Sequence, residues 1–137
     1  MSSHSTTLTS SQKALLPKDK HDSPAIAHLS TLPESAIAPL VPELLTWIQD
    51  INWPISALAA RFLLQYPHLL VVPVRGILLG DDGEWKHNCL VYLVDEMPLE
   101  QQRVLRSAVE RIAESPTGGD REFESDEVAR IILEKVR

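Results

Sequence analysis

The sequence predicts an all-α fold, and three observations carry that prediction. Apolar residues recur at i, i+3, i+4 and i+7 through most of the chain, the spacing of helices with one buried face. Proline, glycine and short polar residues fall between those segments, where helices start and stop. The one valine-rich stretch with strand character, residues 69–79, contains Pro73 and lies between helical segments, so a lone strand there is disfavoured.

Eight of the first twelve residues are Ser or Thr. Residues 1–14 are therefore expected to form a disordered tail, with a helical domain over 15–137. Order is expected from Leu15-Leu16-Pro17. Ser23 and Pro24 suit the N-cap and first position of a short helix reaching about Ser30. Leu32-Pro33-Glu34 opens a second element, and Pro39 and Pro42 interrupt it. Its main helix is expected from Leu40 to Gln49, burying Leu40, Val41, Leu44, Leu45 and Ile48. Pro54 tolerates the first helical position, where no intrahelical N–H is needed. The helix after it carries Ile55, Leu58, Ala59, Phe62, Leu63 and Tyr66 on one side.

Pro67 begins the next helix, through Leu78, in which Pro73 marks either a kink or the true start. Gly80 stops it, and Asp81-Asp82 cap a helix with Trp85, Cys89, Leu90, Tyr92, Leu93, Val94 and Met97. Apolar on several sides, that helix is expected at the centre. Pro98 opens another, with Val104, Leu105, Ala108, Val109, Ile112 and Ala113. After a loop with Pro116 and Gly118-Gly119, Ser125 is expected to cap a last helix holding Val128, Ile131, Ile132 and Val136. Phe62, Leu63, Leu90, Leu93, Val109 and Ile131 are expected to share one core.

Helix starts pair up at intervals of roughly thirty to forty residues, the length of α-solenoid units. A local pattern recurs with them: Asp50-x-x-Trp53, Asp82-x-x-Trp85 and Asp120-x-x-Phe123. Equivalent corners of three stacked hairpins would place these triplets along one edge. The fold expected is a short right-handed α-α superhelix of about three hairpins.

Several strings together carry a family resemblance: Leu16-Pro17-Lys18 with Lys20-His21-Asp22, then Leu44-Leu45-x-Trp47-x-x-Asp50-x-Asn52-Trp53-Pro54, Asp82-x-x-Trp85-Lys86, and Pro116-Thr117. Over residues 15–137 the chain resembles the uncharacterised DUF5071 domain family, with Asp-x-Asn-Trp-Pro its most specific part. The resemblance implies a compact domain of HEAT-like or armadillo-like hairpins. It implies no activity.

A net charge of −6 argues against nucleic-acid and anionic-membrane partners, which need clustered Lys and Arg. No apolar run reaches the ~18 residues of a membrane span, and no secretory or transit signal is evident at the N-terminus. A single cysteine, Cys89, offers no intrachain disulfide and fits a reducing compartment. The expectation is a cytoplasmic protein, monomeric or weakly dimeric.

Candidate site residues are His21, Asp22, Asp50, Asn52, Trp53, Trp85 and Lys86. If the corners converge, they supply an imidazole, carboxylates and indole faces, the composition of a small polar and aromatic pocket. No His-x-x-x-His pair, second cysteine or tight carboxylate cluster points to a metal, and no cofactor is implied. The acidic run Asp120, Glu122, Glu124, Asp126 and Glu127 is expected to be solvated. Two function classes follow. One is a non-catalytic adaptor that presents a concave helical surface to another protein. The other is a small enzyme whose site lies at His21-Asp22 and Asp50–Pro54. The missing phosphate loop and the missing nucleophile–base motif favour the adaptor.

Overall fold

The computed structural model describes residues 7–137. Among them are eleven α-helices, three 3₁₀ turns and no strand, so the chain is all-α as expected. The helices are α1 Ser10–Lys13, α2 Ser23–Leu29, α3 Glu34–Ile37, α4 Val41–Leu45, α5 Ser56–Leu63, α6 Pro67–Leu78, α7 Gly83–Tyr92, α8 Leu99–Val104, α9 Arg106–Glu114, α10 Gly118–Glu122 and α11 Ser125–Val136. 3₁₀ turns at Ala38–Leu40, Thr46–Ile48 and Val94–Glu96 flank α4 and follow α7.

Of the expected tail, residues 1–6 lie outside the described ones. The remainder holds α1, closed by a capping box in which Thr9 and Gln12 each accept the other's backbone N–H. Leu8, Leu15 and Leu16 pack against the core.

The apolar face expected for the segment after Pro39 is buried completely: Leu40, Val41, Leu44, Leu45 and Ile48 are all within 1% of full burial. Pro39 and Pro42 break that segment into 3₁₀, α and 3₁₀ pieces without turning the face. Around it, α5 and α6 pack on α4, and α2 packs on α5. On the C-terminal side α9 lies along α11. Helix α7 joins the two sides, touching α6, α10, α11 and the Thr46–Ile48 turn, so its expected central place is observed.

Four expectations about side chains need correction. Ile131 is 61% exposed, because α11 buries Ala129, Ile132, Leu133 and Val136, a face that excludes it. Val104 is exposed; it is the last residue of α8, and the helix opened by Pro98 is interrupted after it at Leu105, where ψ is 0°. Leu58 faces solvent at the edge of the α5 stripe. Ser125 is not the N-cap of α11; Glu124 holds that position, in left-handed conformation with φ 59° and without a side-chain cap bond, and Ser125 is buried with its hydroxyl 3.1 Å from His87 Nδ1.

The Asp-x-x-aromatic triplets are not equivalent corners. Asp50 closes a turn ahead of α5, Asp82 is the N-cap of α7, and Asp120 sits buried at the third position of α10. The same short pattern serves three local geometries.

Candidate functional site

The corner from Trp47 to Pro54 is built to turn the chain. The Asp50 carboxylate accepts the Asn52 N–H at 2.9 Å, and the Asp50 carbonyl accepts that of Trp53 at 3.1 Å. Ser56, buried at the start of α5, lies between the carbonyls of Trp47 and Asp50, 2.6 Å from the latter. Trp47 and Trp53 meet edge to face with centroids 5.6 Å apart. The Ile55 N–H donates to the Lys20 carbonyl at 3.1 Å, which ties the His21-Asp22 loop to this corner. Those two expected site segments are therefore neighbours.

They do not assemble a catalytic pair. Both Asp22 oxygens are engaged by backbone N–H groups, Oδ1 by Ala25 as the α2 cap and Oδ2 by Lys18. Asp22 therefore takes the capping role expected of Ser23. His21 is exposed, and its own N–H donates to Asp19.

Trp85 and Lys86 lie elsewhere. Trp85 Nε1 donates to the Leu45 carbonyl at 3.0 Å, and Asn88 Nδ2, one helical turn on, donates to Ile48 and Gln49 at 2.9 and 3.3 Å. One face of α7 thus bonds to backbone carbonyls at the end of the α4 segment. Lys86 points into the interior, 1% exposed, with its ammonium 2.6 Å from Asp120 Oδ1. Asp120 Oδ2 pairs with Arg111 at 3.0 Å and accepts the Thr117 N–H at 2.9 Å. Burial pushes the Asp120 carboxyl up, but the Lys86 bond, the Thr117 N–H and the charges of Lys86 and Arg111 outweigh it and hold it below its usual range. Asp120 is therefore a buried hub, in contrast with the solvated run expected there. Arg111, Ser56 and Asn88 were not signalled by sequence, apart from the i, i+3 spacing of Trp85 and Asn88, and Thr117 entered only through the Pro116-Thr117 string.

Cys89 is buried, and that burial, aided by Asp82, raises its thiol to about 12, so it is inert as a nucleophile. Among the described residues, no three His, Cys, Asp or Glu side chains gather as metal ligands.

The most distinctive surface feature is a cleft of about 340 Å³ between α4, α6 and α7. Pro42 and Leu45 form one wall, Pro73, Gly76 and Ile77 another, and Trp85 closes it, with Gly80, Asp81 and Asp82 at the α6–α7 link. His21, Asp22, Asp50, Asn52 and Trp53 are not part of it. Two of its residues are at odds with their own helix. Pro73 lies inside α6, where it lacks the N–H due to Leu69 and costs about 3 kcal/mol. Gly76 costs about 1 kcal/mol relative to alanine, yet a Cβ there would meet nothing within 4 Å. Two other depressions, around Leu58 and Arg61 and around Tyr92 and Glu96, hold no such mismatch.

No curated protein matches the chain. The family model described as Domain of unknown function (DUF5071) matches residues 15–133, and the chain belongs to that family.

Proposed function

We propose that this domain is a non-catalytic binding module and that the α4–α6–α7 cleft receives its protein partner. The observation that carries the reading is Gly76. Folding does not require a glycine there, since a side chain would project into open space. Gly76 lies on the cleft wall, so any side chain there would stand at the cleft. Residues that break local rules without a folding benefit mark functional surfaces.

Chemistry has less support. Asp22, Asp50, Asp82 and Asp120 are engaged in caps, turns or ion pairs, and Cys89 is protonated and buried. The finer arrangement expected from sequence, a short right-handed superhelix of hairpins with a concave face, belongs to this proposal. It is supported by α9 lying along α11 and by α4 packing on α5 and α6. A cytoplasmic setting fits the lone buried Cys89. No helix among the described residues is long and apolar enough to cross a membrane.

The test is a selection of displayed random dodecapeptides on wild type and on Gly76→Leu, which adds a bulky side chain at the cleft wall. The reading expects sequences retained by wild type and lost on Gly76→Leu, with both proteins folded by circular dichroism. Equal retention on the two proteins contradicts it.

A further inference from the structure

Resting on the cleft as the binding site, we infer that its occupant is a polypeptide segment placing one bulky apolar side chain in the cleft with Lys or Arg beside it. The walls are apolar: two prolines, Leu45, Ile77 and the Trp85 ring. At about 340 Å³ the cleft lies near the lower end of ligand sites and suits a single anchor side chain. The indole offers no donor, because its N–H is already bonded to the Leu45 carbonyl. An occupant therefore meets the ring by apolar contact, or by a cation over its face, and not through a hydrogen bond to it.

Charge at the mouth has one sign. Asp81 and Asp82 line it, and Glu84 follows in the first turn of α7. The cations closest in sequence are directed elsewhere. Lys86 is buried against Asp120, and Arg75 of α6 donates to the Val104 carbonyl. Asp81 is not the cap of α7, a role Asp82 fills by accepting the Trp85 N–H at 3.0 Å. An apolar floor under an acidic rim complements an apolar anchor flanked by basic residues and disfavours acidic segments.

The composition of the selected peptides tests this separately from the cleft itself. Among dodecapeptides retained by wild type and lost on Gly76→Leu, Leu, Met or Phe with Lys or Arg within two positions should be enriched over the naive library. Replacing the anchor with Ala should weaken a retained peptide about 10- to 100-fold, and replacing its basic neighbour with Gln about five-fold. Asp81→Lys should weaken the same peptide by about five-fold or more while leaving the far-ultraviolet spectrum unchanged. Cleft-dependent peptides that are neutral or acidic would overturn the occupant's chemistry and leave the binding reading standing. Absence of any cleft-dependent peptide would overturn both. Sedimentation showing a dimer in wild type that Gly76→Leu abolishes would make the occupant a second copy and overturn the basic segment.

Discussion

Trp85 and Lys86 are adjacent in sequence and belong to opposite regions of the molecule. Lys86 turns inward to a charged node, where Asp120 holds α7 and, through Arg111 and Thr117, joins α9 to α10. Trp85 turns toward an open cleft whose walls include a helix-interior proline and a glycine with empty space beside it. At the node each side chain is demanded by a partner. At the cleft two residues lower the stability of their own helix, and at one of them, Gly76, an added Cβ would meet nothing within 4 Å. The contrast separates a region held by mutual charge pairing from one that, on the proposed reading, is kept for a partner.

The node should give the largest effects. Lys86→Ala leaves Asp120 buried with Arg111 as its remaining cation, and breaking a buried pair in this way costs about 3–5 kcal/mol. Urea unfolding measures it. A loss near 1 kcal/mol would mean that Arg111 and solvent compensate, and the node would be no more critical than the cleft.

Acid probes the same node. The Asp120 carboxyl titrates lower in the folded protein than its ordinary 3.8. Its contribution is thus complete above the unfolded value and fades as pH falls through the folded one. Wild type should lose stability below about pH 4, and Lys86→Ala should show a shallower acid dependence over that window. Parallel curves for the two proteins would contradict the assignment.

Gly83, at the start of α7, sharpens the contrast with Gly76. A Cβ on Gly83 would lie 3.1 Å from the Phe123 ring and 3.2 Å from the Gly119 carbonyl. Gly83→Ala should therefore cost about 1–3 kcal/mol as an overpacked contact, read from the thermal midpoint. A neutral effect would show that α10 gives way. Smaller still is Trp85→Phe, which removes the bond to the Leu45 carbonyl and should cost about 1 kcal/mol in urea unfolding. An unchanged midpoint would detach the indole N–H from α4.

Periodicity made the helices legible because a buried stripe is a local property. The five residues expected on the inner face of the α4 segment are all in the core. Ile131 and Val104 were misplaced because several apolar faces were available on α11, and because the break at Leu105 left no proline or glycine signature. The corner around Asp50 and Trp53 was readable from its turn residues. The places of Trp85 and Lys86 were not, since the direction of α7 is set by pairings across the chain: Trp85 with Leu45, and Lys86 with Asp120. Asp120 resembles its acidic neighbours in sequence, and only three-dimensional proximity to Lys86 and Arg111 distinguishes it. Pro73 was visible as an anomaly in the string; its place on a cleft wall required α4 and α7.

The central claim, that the cleft is kept open at the expense of helix stability, is tested most directly by urea unfolding of Gly76→Ala. A methyl group that meets nothing within 4 Å and improves helix propensity should raise stability by up to about 1 kcal/mol. A loss of about 1 kcal/mol or more would show that the fold itself requires the glycine, and would contradict the account.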